Sequence, residues 1–374
     1  MLERHLHHLT HASRSLSSLL TVALLIGSPL ALEAQRGGQS PQDARRLTNI
    51  LGGVPMTPAD SARQRIVDRL DFDSYKEFVR GLTLFGDREQ GTPRNAAAID
   101  WIEEQLQGFG YETERVHYQY TPRGSETSEP REEVFATKIS ASNPGQMYIV
   151  GAHMDGRGGG EAANDDGSGT ALVMELARVL SSSDIDTGAS IRFALWNNEE
   201  TGLNGARAYV DQRAGLQGIE NPAGSGEYPE PEWLGMIQHD MMMWDHGNPV
   251  TFNQALDADV DIEFQLNSAR AAESAALGLA LLNANRMHAS DYPAVLSNAM
   301  SNTDSTPFMD LVPAISLREN RRLYETGNGA NPHWHQPTDL FVTFSDADFR
   351  LGFNAAQTTL AGLARLADIR IVGN

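Results

Sequence analysis

Cysteine is absent from the 374 residues of this chain. Without cysteine the chain forms no disulfide bonds, even in an oxidising compartment, and it offers no thiolate to a metal or a substrate. Thiolate zinc sites and cysteine nucleophiles are therefore excluded. Any metal must be bound by the side chains of histidine, aspartate and glutamate.

Positive charge is scarce. Lysine and arginine together number 29, against 49 aspartates and glutamates, and the formal net charge is -20. A surplus of negative charge repels phosphate backbones and anionic membrane surfaces. We therefore expect no nucleic-acid partner and no stable association with a membrane.

Long apolar runs are also scarce, and the one present, residues 16–26, lies near the N-terminus behind sparse positive charge. It is too short to span a bilayer comfortably and is broken by Gly-Ser-Pro. The pattern predicts a signal peptide over residues 1–34, and hence a secreted or periplasmic protein; an uncleaved anchor is the alternative. Residues 35–57 are predicted to be a flexible lead-in, and residues 58–374 a single domain.

Beyond the lead-in, the apolar pattern alternates between strands and helices. Helical spacing over residues 58–85 and from Pro93 onward precedes the alternation, and Ser345 with Asp348 is predicted to cap the last helix. The principal strands are predicted at residues 134–140, 147–152, 190–196, 234–238, 260–266 and 312–317. This order favours an α/β fold: a single domain with a mixed, mostly parallel β-sheet flanked by helices on both faces.

Metal-binding residue types follow the strand predicted at residues 147–152. His153 and Asp155 stand at its carboxyl end, where open α/β sheets bind ligands. Asp165 follows in the segment Asn-Asp-Asp-Gly-Ser-Gly, residues 164–169, which leads into a helix. Taken alone, His153 and Asp155 are typical of a surface or capping pair. Residues 164–169, taken alone, are typical of an Asp-rich turn that caps a helix.

Two adjacent glutamates, Glu199 and Glu200, follow the strand at residues 190–196. Neighbouring side chains at a strand end point in different directions, so one can bind a metal while the other reaches a substrate. Alone they would be solvated charges at a helix start. Asp240 ends a further strand, and His335 lies in Pro-His-Trp-His. With His153, Asp165 and one of the glutamates, these residues make a complete set of hard ligands for two zinc ions.

The motifs resemble the M28 family of zinc aminopeptidases. The resemblance runs in the family's order from about residue 85 to about residue 366. The matching segments are residues 153–155, residues 164–169, Glu199 with Glu200, Asp240, and His335 followed by Pro337 and Asp339. The resemblance implies a zinc aminopeptidase fold and the hydrolysis of peptides or proteins from a chain terminus, most often the amino end.

The resemblance also implies which residues bind the metals. By it, Asp165 bridges two zinc ions. His153 and Asp240 complete the first site, and Glu200 and His335 complete the second.

Catalytic roles are implied in the same way. Asp155 orients the metal-binding His153 from behind. Glu199 acts as the general base, which takes a proton from a metal-bridging water and passes it to the leaving amine. No serine or cysteine nucleophile is needed.

Two departures from the family pattern affect the expected substrate contacts. Relatives often carry a tyrosine before the last histidine ligand that helps to hold the oxyanion, whereas Trp334 precedes His335 here. The oxyanion donor is therefore open between Trp334, His333 and Tyr324. The family's Ser-Asp-His before Pro-Phe appears here as Thr-Asp-Ser-Thr-Pro-Phe, residues 303–308, without the histidine.

Three other functions remain as alternatives. A carboxypeptidase of the same family would share the ligands, because these do not say which end of the substrate is bound. A glutaminyl cyclase shares the fold but works with a single zinc; the segment at residues 164–169 resembles the peptidase version. A metal-bearing binding protein without catalysis would have no need for an unliganded Glu199 beside the metals.

Overall fold

The structure, a computed structural model, describes residues 56–244, 260–319 and 331–372. The predicted leader, nearly all of the lead-in and Tyr324 lie outside the described residues. The α-helices are α1 (Pro58–Val67), α2 (Phe72–Thr83), α3 (Pro93–Gly108), α4 (Gly167–Leu180), α5 (Asn204–Arg213), α6 (Ala271–His288) and α7 (Asp346–Leu366). The strands are β1 (Thr113–Tyr120), β2 (Glu129–Lys138), β3 (Gln146–His153), β4 (Ile185–Asp186), β5 (Ser190–Trp196), β6 (Glu232–His239), β7 (Val260–Glu263), β8 (Ala294–Ser297), β9 (Ala314–Arg318) and β10 (Arg370–Ile371).

Eight strands form one sheet in the order β1-β2-β5-β3-β6-β9-β7-β8. The four central strands, β5, β3, β6 and β9, run parallel to one another. Antiparallel pairs flank them, β1 with β2 and β2 with β5 on one side and β7 with β9 on the other. The carboxyl ends of the four central strands consequently meet at one edge of the sheet, where side chains from distant parts of the sequence come together.

Both faces of the sheet are buried. Along β3, Met147 and Ile149 belong to one apolar cluster, whereas Val150 and Ala152 belong to a second, larger cluster. Since successive side chains of a strand point to opposite faces, the two clusters lie on opposite sides of the sheet. This explains why β3 is apolar at nearly every position. The strand pairings confirm the predicted mixed, mostly parallel sheet.

Two helices begin with reciprocal capping boxes. Ser345 and Asp348 form a reciprocal capping box at the start of α7, as predicted, and Thr57 and Asp60 form another at α1. The helical stretch predicted at residues 58–85 is two helices, because the chain leaves α1 at Asp68 and restarts with Asp71 as the cap of α2.

None of the helices in the three described stretches combines the length and apolarity needed to cross a bilayer.

Candidate metal centre

Three of the expected ligands meet at the carboxyl ends of β3 and β6. His153 is the last residue of β3, Asp240 directly follows β6, and Asp165 lies just before α4. His153 Nε2 lies 3.4 Å from Asp165 Oδ1 and 3.9 Å from Asp240 Oδ1. All three residues are buried, with His153 only 1 % exposed. We call these residues the first ligand group.

A second ligand group shares Asp165 with the first. His335 Nε2 lies 3.0 Å from Asp165 Oδ2 and 2.9 Å from Glu200 Oε2. One oxygen of the Asp165 carboxylate therefore faces His153 and the other faces His335. The His335 side chain is 25 % exposed, so solvent reaches the centre from this side.

The chemistry of both groups fits zinc. Two ligand atoms bound to one tetrahedral zinc ion lie about 3.3 Å apart, and the ligand atoms of each group lie within 4.8 Å of one another. The buried oxygen Glu200 Oε1 accepts no hydrogen bond from the described residues. Burial lowers the pKa of His335, but the carboxylates of Asp165 and Glu200 raise it to about 9. The same two carboxylates can bind a metal cation together with the neutral imidazole of His335.

Asp155 supports the centre differently from the expectation. The ring of His153 is oriented by the backbone carbonyl of Asp155, which lies 2.8 Å from Nδ1, while the Asp155 carboxylate is 3.8 Å away. That carboxylate instead accepts the backbone N–H of Glu199 at 3.0 Å and, more weakly, that of Glu200 at 3.4 Å. Asp155 thus holds the ring of His153 with Nε2 facing the other ligands. It also holds the turn that carries Glu199 and Glu200.

Glu199 lies beside the two ligand groups and belongs to neither. It lies in the turn after β5, and the residue is 8 % exposed. Burial raises the pKa of Glu199 well above its usual range; His153 opposes the shift, and the carboxylates of Asp304 and Asp240 add to it. A carboxylate with a raised pKa is a stronger proton acceptor, as a general base requires.

Two further aspartates hold Asp165 in place. Asp339 accepts the backbone N–H groups of Asn164 and Asp165 at 2.8 and 3.0 Å. Asp166, joined to Asp165 by a cis peptide bond, accepts the N–H groups of His153 and Met241 at 3.1 Å each and caps α4 through Gly169 at 2.9 Å. The Pro-x-Asp pattern after His335 had indicated Asp339 as part of the motif, whereas the role of Asp166 as a tie between β3, β6 and α4 was not predicted.

Arg88 is a buried residue beside the centre that no sequence motif indicates. Its guanidinium donates to the carbonyl oxygen of Met154 at 2.7 Å and to those of Glu161 and Ala162 at 2.8 Å each. These carbonyls lie at the two ends of the loop that connects His153 to Asp165. Arg88 therefore fixes the path of that loop, although it lies more than sixty residues earlier in the chain.

Trp334 is the oxyanion candidate in contact with a ligand. Its ring packs against that of His335 at a tilt of 35°, with centroids 4.4 Å apart, and the residue is 42 % exposed. His333 shares a hydrogen bond of 2.9 Å with Thr338 and packs edge-on against Trp244 and Phe344. The ring of His333 is thus held by neighbours other than the two ligand groups.

Residues 303–308, which differ from the family pattern, contact the strand that leads to Asp240. Asp304 is fully buried and accepts a hydrogen bond of 3.3 Å from Gln238, two residues before Asp240. Ser305, at the position of the family's histidine, donates to the sulfur of Met300 at 2.9 Å. The segment therefore packs beneath the strand end that carries Asp240.

The model of peptidase family M28 matches residues 135–355, which is more than half of the chain and includes both ligand groups. The chain belongs to peptidase family M28. Arg88 lies outside the matched residues.

Curated relatives carry peptidase names. The chain is 38 % identical over 208 residues to the "Probable lipoprotein aminopeptidase LpqL" of Mycobacterium tuberculosis, covering 48 % of this chain and 40 % of the relative. It is 29 % identical over 174 residues to the "Probable zinc metalloprotease" of Pyrenophora tritici-repentis, covering 41 % of this chain and 35 % of the relative. The match thus spans less than half the length of each of these relatives.

Solved structures share the fold. An aminopeptidase of Legionella pneumophila, LapA, superposes with a TM-score of 0.61 at 18 % identity, covering 82 % of this chain and 74 % of that one. The glutaminyl cyclase of Porphyromonas gingivalis superposes with a TM-score of 0.60 at 20 % identity, covering 80 % of this chain and all of that one. At such identities the likeness shows the fold alone, and peptidases and cyclases share it.

Proposed function

We propose that this M28 peptidase is an exported di-zinc aminopeptidase, which hydrolyses peptides from their amino end. The placement of Asp165 carries the proposal. Its two carboxylate oxygens face different histidines, His153 at 3.4 Å and His335 at 3.0 Å, so one carboxylate serves both ligand groups. A single-zinc protein would have no need for the first ligand group.

Zinc, Glu199 and Asp155 have different roles in the proposed hydrolysis. Zinc, when bound, supplies a Lewis acid that polarises the scissile carbonyl and lowers the pKa of water. Glu199 accepts the proton of the attacking water and returns it to the leaving amine, for which its position outside both ligand groups suits it. Asp155 holds the backbone of Glu199 in place through the hydrogen bond of 3.0 Å.

The name of a relative supports the amino end as the site of cleavage. The M. tuberculosis protein, which matches 48 % of this chain, is named an aminopeptidase.

Export is proposed from the N-terminal pattern of residues 1–34, in which an apolar run follows sparse positive charge. The name of the same relative, a lipoprotein aminopeptidase, supports it.

Three peptides test the proposed activity. We expect the zinc-loaded protein to shorten a peptide with a free amino end and a blocked carboxyl end, and to leave unchanged a peptide blocked at its amino end, with products read by mass spectrometry. A third peptide, with amino-terminal glutamine, should lose that residue by hydrolysis. Shortening from the free carboxyl end would show a carboxypeptidase, loss of ammonia without cleavage would show a cyclase, and no reaction with any peptide would show a binding protein.

A further inference from the structure

Glu319, the residue after β9, is a buried carboxylate that three separate segments contact. It is 2 % exposed. Its Oε2 accepts hydrogen bonds from Asn164 Nδ2 at 2.7 Å and from the backbone N–H groups of Met243 and Trp244 at 3.1 and 2.6 Å. Its Oε1 accepts a hydrogen bond of 3.2 Å from Asn331 Nδ2. All four of these groups are donors, and an ionised carboxylate suits them because it only accepts.

Each of the three segments also carries one of the metal ligands. The ligand lies within four residues of the contact with Glu319 in every case: Asp165 beside Asn164, Asp240 before Met243, and His335 after Asn331. Within the described stretches, the hydrogen bonds of the Glu319 side chain go to neighbours of the ligands and to none of the ligands themselves. Glu319 therefore acts on the centre through the segments that it joins.

His335 lies in a segment that needs such support. Residues 332–338 form consecutive turns, and His335 has a φ of 54°, in the left-handed region that residues with a side chain seldom adopt. A conformation of this kind persists when its surroundings hold it. Two residues hold the segment, four positions before and four positions after His335: Asn331, bound to Glu319, and Asp339, which accepts the N–H of Asp165 at 3.0 Å.

Asn331 transmits the contact with Glu319 to the turn of His335. Its Nδ2 donates to Glu319, and its Oδ1 accepts the N–H of His333 at 2.8 Å. Both ends of the Asn331 amide are therefore engaged, one by an acceptor and the other by a donor. The carboxylate of Glu319 keeps the NH2 group of this amide on its own side and the oxygen towards His333.

We propose that Glu319 is a positioning residue that keeps His335 in place against Asp165. By joining their segments behind the centre, it maintains the distance of 3.0 Å between His335 Nε2 and Asp165 Oδ2 that the second ligand group requires. Without the contact to Asn331, the turn of His335 moves more freely and zinc binds more weakly. The inference rests on the proposed function only in taking zinc as the metal.

Glu319→Gln tests the inference, because it replaces one acceptor with a donor. The glutamine oxygen can take the place of Oε2, which accepts three of the four hydrogen bonds. Its NH2 group then faces the NH2 group of Asn331, and only the contact with the His335 segment is lost. We expect the affinity for zinc to fall by about 10- to 100-fold, the usual effect of losing an orienting partner. Titration of the metal-free protein against a chromophoric chelator measures it.

Hydrogen exchange of the metal-free protein gives a second reading, which needs neither zinc nor activity. In Glu319→Gln the backbone N–H groups of residues 332–338 should exchange faster than in the parent protein, because the turn has lost its support at one end. The N–H groups of β3 and β6, at the centre of the sheet, should exchange as before. Mass spectrometry of proteolytic peptides measures both regions.

Reversing the donor and the acceptor should restore the contact. In the double variant, Glu319→Gln with Asn331→Asp, the glutamine NH2 group donates to a carboxylate at position 331, whose other oxygen can still accept the N–H of His333. The double variant should therefore bind zinc more tightly than Glu319→Gln alone, and its turn should exchange more slowly. Asn331→Asp alone places two carboxylates face to face and should weaken zinc binding.

Glu175→Gln is the matched control. Glu175 is also fully buried and also accepts four hydrogen bonds, from the N–H of Asp71 at 2.7 Å, from Ser74 Oγ at 2.8 Å and from two nitrogens of Arg178 at 2.7 and 2.6 Å. None of these three donors is a sequence neighbour of a ligand. Glu175→Gln should lower the unfolding temperature and leave zinc affinity and the exchange of residues 332–338 unchanged.

The inference is overturned if Glu319→Gln keeps the parent's zinc affinity and exchange, or if the double variant binds zinc no more tightly than Glu319→Gln. An equal loss of zinc affinity in Glu175→Gln would also overturn it, because the effect would then be one of general stability. Should Glu319→Gln fail to fold by circular dichroism, Asn331→Ala removes the same contact, and an unchanged zinc affinity in that variant contradicts the inference. A parent protein that binds zinc but hydrolyses no peptide would contradict the proposed function alone.

Discussion

Replacing Glu199 with glutamine is expected to leave the zinc content unchanged while kcat falls by about two to four orders of magnitude, the usual contribution of a positioned proton shuttle. Glutamine has nearly the shape of glutamate but cannot accept the proton. Glu199 belongs to neither ligand group, and the turn is held by its backbone through Asp155, so the substitution should not disturb the metals. Peptide hydrolysis and zinc content by mass spectrometry are measured on the same sample.

Glu200→Gln is the matched variant, because it makes the same chemical change at the adjacent residue. Glu200 Oε2 lies 2.9 Å from His335 Nε2 in the second ligand group. The peptidase activity of Glu200→Gln should therefore fall together with its zinc content, and excess zinc should restore part of both. If Glu199→Gln loses zinc and Glu200→Gln retains it, the two roles are reversed.

Asp165→Asn should have the largest effect on metal binding, since the one carboxylate serves both ligand groups. Losing a partner that only orients a ligand already costs about 10- to 100-fold in affinity, and losing a shared ligand should cost at least about 100-fold at each position. Peptide hydrolysis should fall below detection at the zinc concentration that saturates the parent protein. Zinc content after dialysis at fixed free zinc measures the effect.

Glu175→Gln provides the control for loss of a buried carboxylate. Glu175 lies on α4, the helix that follows Asp165, and its partner is Arg178 at 2.6 Å, outside both ligand groups. Zinc content should not change in this variant. If Asp165→Asn keeps one zinc at the parent's affinity, Asp165 serves one position only and the bridging role is wrong.

Much of the fold could be predicted from sequence because its main elements are long or apolar. The strand predicted at residues 190–196 is β5, with the same bounds, and the box of Ser345 and Asp348 begins α7. Two-residue strands are different. β4 and β10 pair with each other although about half of the chain separates them, and two residues carry no periodicity that could indicate a strand.

The expected ligands could be selected because each belongs to a short motif at a strand end, and the structure brings all five together. Their supports could not be selected. Arg88 contacts carbonyl oxygens, which every residue has, and Arg318 reaches Asp240 only because β6 and β9 are neighbours in the sheet. Asp155 contacts the ring of His153 through its backbone carbonyl, and its carboxylate accepts the N–H of Glu199, which the turn after β5 brings close. Contacts that form only when distant segments pack together leave no pattern in the local sequence.

Anomalous diffraction at the zinc edge, from crystals grown with saturating zinc, tests the two-metal centre most directly. We expect two peaks per chain, one at His153 and Asp240 and the other at Glu200 and His335, with the carboxylate of Asp165 between them. A single fully occupied peak at Glu200 and His335, with none at His153 and Asp240, would contradict the di-zinc peptidase and favour the single-zinc cyclase.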